Sequence, residues 1–525
     1  MTDGPTEDRS GAAPLGASEA PDAVAAVDPA ESDDAIEALA EADAASGLPE
    51  GAEAALPHRT AGRARLVSAV MLGVASGSIL VPLNSTMLAV ALPGVMDEFG
   101  LGASTVASLV SLYLGSVAIA LPVAGTLGDR FGARRVFLLG VLGFGVGSLL
   151  ATVAGSFAVL EASRIVQAAS GALVSTSSAA LIRETAPADR RGEAFGLFDL
   201  LTSTSAAVGP FVGGLIVGWF GWRAMFFVAI PIAAASAIVV FVLLHPARHA
   251  ARGGPGPAPG GAAHPRPLDV PGLVLLALGI VAFLVGIGAF GATDSTVQLI
   301  AAVAVIPLLA AFVIVELREP HPAVDPRLLT RRAFSAALIG VFGATVVLHG
   351  SFILVPLLVE RLLGQTATIS GIVLLGIAGV GALVAPFGGR ISDRRGRRLV
   401  VVAGSFVSAA GLAVLALPAS IASAAVVALL LGVVGFGNGL TSPRQAAALE
   451  SVEPQRVGMA AGTYYTGRYL GGVVGASLAG ALLGASVTAG GVSQGFAILA
   501  ATMVVVGIAS LWLPGRRRMG EAAPA

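Results

Sequence analysis

Long apolar runs separated by short charged turns dominate the chain. A helix that crosses a bilayer needs about 20 mostly apolar residues, and fourteen runs of that kind can be marked along the sequence. The first six cover 66–91, 104–125, 135–154, 157–182, 194–217 and 223–244. A polar Pro/Gly stretch follows, and then two more runs, 270–290 and 297–317. The last six cover 334–358, 368–389, 399–418, 422–442, 457–484 and 493–514. The runs are continuous, whereas transmembrane β-strands alternate apolar and polar positions. The pattern predicts an all-α membrane protein of two six-helix halves plus two extra central helices, fourteen spans in all.

The charges between the runs are uneven. Arg223 and Arg361 fall in turns on one side. The other side takes Arg134, Arg183, Arg190, Arg191, the central linker, Arg318 to Arg332, Arg390 to Arg398, Arg444, Arg456 and the Arg516 cluster. An excess of basic residues marks cytoplasmic loops, so that side is expected to be cytoplasmic, and an even number of spans places both termini there. The predicted organisation is a disordered acidic tail (1–64), a first half (65–244), a cytoplasmic linker (245–268), two additional spans (269–320), a second half (321–515) and a short cytoplasmic tail (516–525).

Composition narrows the classes further. The 525 residues are 55% hydrophobic and 12% charged, against about 25% charged in an ordinary soluble protein. Fourteen of the 32 acids lie between Asp3 and Glu53, in an Ala/Asp/Glu/Pro-rich stretch that reads as disordered. It lacks the basic start and apolar core of a signal peptide. With no cysteine and six scattered histidines, thiolate chemistry is excluded and no metal-ligand spacing is present. No phosphate-binding G-x-x-x-x-G-K-[ST] loop occurs. No nucleophile–base constellation points to an enzyme, and no cofactor, metal or nucleic-acid partner is expected.

One charged turn occurs twice. "GTLGDRFGARR" follows the second run and "GRISDRRGRR" follows the tenth. Both read G-x-x-x-D-R-x-G-x-R, through Gly125, Asp129, Arg130, Gly132 and Arg134 in one copy and Gly389, Asp393, Arg394 and Gly396 in the other. If the seventh and eighth runs are an insertion, the copies hold equivalent places in two duplicated halves, as in transporters built from parallel repeats. Glycines allow tight turns and close backbone approach. The Asp and Arg side chains can form charge-assisted bonds. Such a clasp can hold two halves together in one state and release them in another; plain topogenic charge is the blander reading.

These motifs resemble the major facilitator superfamily, in particular its fourteen-helix drug:proton antiporter branch. "GTLGDRFGARR" is similar to the superfamily's loop between helices 2 and 3, and "RIVQAASGA" from Arg164 resembles its helix 4 motif. "GPFVGG", with Gly209, Pro210, Gly213 and Gly214, resembles the antiporter motif of helix 5. "GWRAMFFVAIPI" and "GRYLGGVVGAS" resemble stretches of helices 6 and 13 of that branch. The resemblance covers about residues 65–515. It implies a monomeric bacterial cell-membrane exporter of small drug-like molecules, driven by protons.

Ionisable groups inside spans are costly and therefore functional candidates. Arg164 is either part of a proton-coupling site, as the resemblance implies, or a static ion pair with Glu161 one turn away. Glu161 either titrates or neutralises Arg164. Asp199 is either a proton site or a salt-bridge gate on the face of Pro210. Asn84 stands where the branch usually carries Asp, and Ala229 where Asn is common; Asn cannot titrate, so the proton role is lost there or moved to Glu161 or Asp199. Candidate cavity residues are Asn84, Gln167, Arg468, Tyr465, Asn438 and His349, with Thr441 weaker. Tyr464, Tyr465 and Tyr469 surround Arg468, and either stack on flat or cationic ligands or serve ordinary packing near a span. Gly471 and Gly475 form a small-residue pair suited to close helix packing. Export of a lipid, siderophore or endogenous metabolite is the alternative cargo, and a membrane scaffold or sensor the alternative class.

Overall fold

The structure, a computed structural model, describes residues 56–515 apart from 187–189, 245–268, 288–293, 321, 323, 454–455 and 485, with side chains from Met71 onward. The acidic segment up to residue 55, the central linker and the last ten residues lie outside the described residues.

The described chain is helical. The first half comprises α1 (Leu56–Met87), α2 (Leu92–Phe99), α3 (Ala103–Phe131), α4 (Ala133–Thr152), α5 (Phe157–Thr185), α6 (Arg191–Phe220) and α7 (Arg223–Leu243). Two further helices follow, α8 (Val270–Gly286) and α9 (Ser295–Arg318). The second half comprises α10 (Arg332–Leu357), α11 (Ala367–Arg395), α12 (Arg397–Leu415), α13 (Ala424–Leu440), α14 (Arg444–Glu450), α15 (Val457–Leu483) and α16 (Ala489–Ala509). Twelve helices among the described residues are long and apolar enough to cross a membrane. Two of the fourteen predicted spans are not among them. Helix α8 is apolar but has 17 residues, and α15, though 27 residues long, carries Arg468 and three tyrosines.

The first run reaches further than its composition suggests. Predicted to stop at 91, it turns through a 3-10 segment (Leu88–Ala91) and continues as α2 to Phe99. Pro93 sits in the first turn of α2, where its missing N–H costs nothing. Gly100, at φ 64°, caps α2 with its N–H on the Met96 carbonyl.

The repeated turn is repeated in the backbone. Gly132 ends α3 and starts α4 at φ 83°, ψ 145°. Gly396 ends α11 and starts α12 at φ 90°, ψ 141°. Both donate their N–H to the carbonyl four residues back, Gly128 at 3.0 Å and Ser392 at 2.8 Å. That region of φ/ψ belongs to glycine, and a side chain there costs roughly 1–3 kcal/mol. Gly132→Ala and Gly396→Ala are therefore expected to lower the melting temperature in detergent. Gly128→Ala, in α3 with nothing within 4 Å of an added Cβ, should not lower it. Equal melting temperatures for all three would remove this role.

Helices α8 and α9 flank the two halves. They pack on each other where Gly286 meets Ala302, and α8 touches α3 through Ile280 over Gly115. Only 6% of the apolar window of α9 is buried, as suits a helix that turns nearly all of its surface to lipid.

Candidate functional site: a cavity between two halves

A cavity of about 620 Å³ lies between the halves. Its first-half wall comes from α1 (Ser78 to Thr86), α3 (Tyr113 to Val117) and α6 (Phe198 to Ala207). Its second-half wall comes from α10 (Val341 to Phe352), α11 (Ile377 to Ala385), α13 and α14 (Asn438 to Gln445) and α15 (Tyr464 to Tyr469). These stretches lie in the middle and the arginine-rich part of their helices.

The opposite end is sealed, largely by backbone. An added Cβ on Gly214 of α6 would lie 2.6 Å from the Ala367 carbonyl and 3.2 Å from Gly371 Cα on α11. Thr368 Oγ1 donates to the Gly214 carbonyl at 3.1 Å. On the other flank, the Ser111 and Ser477 hydroxyls bond at 2.7 Å, and Gly480 of α15 approaches Ser104 Cα of α3. Arg361 crosses between halves to Asp97 Oδ1 at 2.6 Å and the Pro93 carbonyl at 2.7 Å. Beside it, Ser370 donates to Glu360 Oε1 at 2.9 Å.

At the arginine-rich end the repeated turns do not engage the other half. Among the described residues, no hydrogen bond or ion pair joins Asp129, Arg130, Asp393 or Arg394 across the gap, and Gly125, Gly132 and Gly389 have open space where a Cβ would stand. Arg134 stays within its own half, donating to the Phe241 carbonyl at 3.0 Å. Arg397 likewise pairs with Glu450. Arg331 pairs with Glu453 at 2.8 Å, which holds that exposed carboxyl below the usual carboxylate range.

Arg164 is fully buried. Its Nη1 donates to Asn84 Oδ1 and Gln167 Oε1, both at 2.6 Å, and Gln167 Nε2 donates to Ser148 Oγ at 2.9 Å. The guanidinium carbon stands 4.2 Å from the Tyr113 ring centroid and 5.9 Å from that of Phe226. Nε and Nη2 meet no acceptor, and no carboxylate pairs with the group among the described residues. The expected alternative of an ion pair with Glu161 does not occur: Glu161 is turned to α3, where Ser108 donates to it at 2.6 Å. Neutral amides and a π face thus balance a cation that costs about 2.5–3.5 kcal/mol at mid-membrane on insertion scales.

The other predicted residues divide. His349, Asn438, Thr441 and Arg468 stand on the cavity wall. Asn84 and Gln167 are buried behind it with Arg164. Tyr465 is off the wall, its hydroxyl accepting from Gln445 Nε2 at 3.1 Å. Asp199 is exposed beside the wall residues Phe198 and Thr202, with no ion pair among the described residues. Gly209 and Gly213 pack on Thr86 and Met87 of α1, and the Pro210 carbonyl faces Gly371 of α11, so that motif wedges α6 between the halves. Gly471 and Gly475 lie against the α10 backbone at Phe342 and Val346.

Arg444 was missed by sequence reasoning. It lies on the cavity wall, 3% exposed, and Nη1 donates to the Gly340 carbonyl. Nε and Nη2 are buried without a partner. A Cβ on Gly340 would collide with this side chain, so the glycine makes the room. Arginine just past an apolar run was the available signal, and it reads equally as a loop charge.

Residues 74–476, and in a second match 333–524, fit the Major Facilitator Superfamily. The chain is 31% identical over 448 residues to the "Uncharacterized MFS-type transporter YwoD" of Bacillus subtilis (strain 168), covering 84% of this chain and 95% of the relative. It is 30% identical over 415 residues to the "Multidrug resistance protein B homolog" of Mycobacterium tuberculosis, covering 77% and 74%. It is 29% identical over 421 residues to the "Tetracenomycin C resistance and export protein" of Streptomyces glaucescens, covering 79% and 76%. A crystal structure of peptide transporter POT in complex with sulfate superimposes with a TM-score of 0.62 at 15% identity, covering 84% of this chain and 93% of that one. At that identity the likeness bears on the fold alone.

Proposed function

The chain belongs to the major facilitator superfamily and is a multi-pass secondary transporter, and from that premise we propose that it exports small amphipathic, drug-like compounds across a bacterial cell membrane by proton antiport. The observation that carries this reading is the cavity of about 620 Å³ between the halves, sealed at one end by glycine contacts and without a latch among the described residues at the other. That is the geometry of one state of an alternating-access cycle. The arginine-rich end is read as cytoplasmic on the positive-inside rule, with fourteen spans and both termini on that side. Relatives with drug-resistance and antibiotic-export names support the cargo class.

The parts then have roles. The turns around Asp129 and Asp393 latch the cytoplasmic end when the cavity faces outward. Gly209, Pro210, Gly213 and Gly214 form the close-packed surface on which the halves rock. Arg164 senses the state of the first half through Asn84, Gln167 and Tyr113. Glu161 and Asp199 are the proton-carrying candidates, because Asn84 cannot titrate. One observation favours a second cargo reading, a lipid, siderophore or endogenous metabolite: no acid stands among the described wall residues to attract a cationic drug.

The test is proton movement in liposomes holding the purified protein, with a pH gradient and a trapped pH dye. Lipophilic cations are added first, then neutral and anionic amphiphiles. At least one class should dissipate the gradient, and Glu161→Gln or Asp199→Asn should slow it. A folded protein that moves protons with none of them ends the antiport reading.

A further inference from the structure

The cavity wall is chemically one-sided. Its two formally charged described residues are Arg444 and Arg468, both on the second half, with no Asp or Glu on the wall. Arg444 is 97% removed from solvent by its 3% exposure, yet two of its donor atoms lack acceptors. A buried donor without a partner costs about 1–3 kcal/mol, more when charged. Buried polar groups are nearly always satisfied by protein, water or an ion, so donors left over at a cavity wall have bonding capacity for what enters it. Arg468 is exposed within the same wall, and Asn438 and His349 stand nearby on it. Across from them, on the first-half wall, are the rings of Tyr113 and Phe198.

We propose that this cavity selects amphiphiles with an oxyanion head, a carboxylate, sulfonate or phosphate held by Arg444 and Arg468, with an aromatic or alkyl body against the rings of the other wall. The inference rests on the exporter reading above and names its substrate class. Guanidinium groups match planar or tetrahedral oxyanions through paired N–H bonds. In a low-dielectric cavity two cations without a carboxylate repel a third, so a lipophilic cation is disfavoured there. Nothing in the wall requires the head to belong to a lipid or to a water-soluble compound.

The test uses one ring system in three charge states: 2-naphthoate, its methyl ester and 2-naphthylmethylammonium, titrated into the full chain in nanodiscs of zwitterionic lipid. Lysophosphatidic acid against lysophosphatidylcholine forms the lipid arm. Naphthoate is expected to bind about tenfold or more tightly than the ammonium compound. In Arg468→Gln and Arg444→Gln that ratio should fall toward one. Because Arg444 is buried and bonded to Gly340, elution profile and melting temperature accompany its variant. Arg468 is exposed, so its variant keeps the test independent of folding. Stronger binding of lysophosphatidic acid than of naphthoate assigns the head to a lipid and supports the inference. Preference for the ammonium compound, or an anion preference that survives in the folded Arg468→Gln protein, overturns it. Binding of the ester as tight as that of naphthoate overturns it too, while leaving the exporter reading intact. If no compound binds the folded protein, the exporter reading falls and this inference with it.

Discussion

Arg164→Leu should abolish transport and still leave a folded protein. The two halves of that expectation have separate causes. Arg164 is a buried cation with no paired carboxylate, and two donors without acceptors, among the described residues. Removing the cation relieves two unsatisfied donors but leaves the Asn84 and Gln167 oxygens without theirs, at about 1–3 kcal/mol each, so the variant should fold with a somewhat lower melting temperature. The loss of function follows from what Nη1 does. It joins α1 at Asn84 to Gln167 on its own helix, and each bond to a charged group contributes about 1.5–3 kcal/mol. Losing both should cut the rate of proton-coupled exchange by about 100-fold or more. Arg164→Lys should fail almost as badly, because an ammonium group lacks the planar fork. The readouts are the trapped-dye assay and a thermal melt on the same preparation. A Leu variant that transports normally would reduce Arg164 to a passenger.

The second large effect is expected at Gly371. A Cβ there would press on the Pro210 carbonyl and lie 3.1 Å from Phe211 Cα and 3.2 Å from Gly214 Cα. Gly371→Leu therefore wedges α6 from α11 where the cavity is sealed. Overpacking costs about 1–3 kcal/mol, which shifts a two-state equilibrium about 5- to 150-fold. The chain has no cysteine, so a single Ala206→Cys on the cavity wall reports access directly. Its labelling by an impermeant maleimide from the sealed side should rise by a similar factor. Gly379→Leu on the same helix is the control, since its nearest neighbour is Leu375 at 3.5 Å, one turn away. Unchanged labelling in a folded Gly371→Leu protein would show that these glycines do not hold the seal.

Local chemistry was legible in the sequence and long-range direction was not. The Gly132 and Gly396 turns could be read because a short motif dictates its own backbone, and the structure gives both copies nearly the same angles. Arg164 could be read because a charge within an apolar run is conspicuous. Its partner could not: spacing suggested Glu161, but α3 offers the Ser108 hydroxyl, and Arg164 turns instead to α1. Arg444 was hidden because its position depends on where α13 ends, at Leu440, and on a glycine on another helix that makes room for it. The run expected to end at 91 continues because a 3-10 turn and a proline at a helix start carry the chain on as α2 to Phe99, past the charged Asp97 and Glu98.

The extra helix pair treats the two seams between the halves unequally. Ile280 of α8 covers Gly115 on α3, and the segment after α9 reaches α15, where the Asp325 N–H donates to Thr463 at 3.2 Å. The seam between α3 and α15 thus carries extra contacts on both of its helices. The cleft between α6 and α11 has no such cover among the described residues, and Leu197 and Leu200 of α6 stand exposed beside Phe198 and Thr202. The two seams, α3 against α15 and α6 against α11, therefore meet different surroundings, a helix pair at one and no such cover among the described residues at the other.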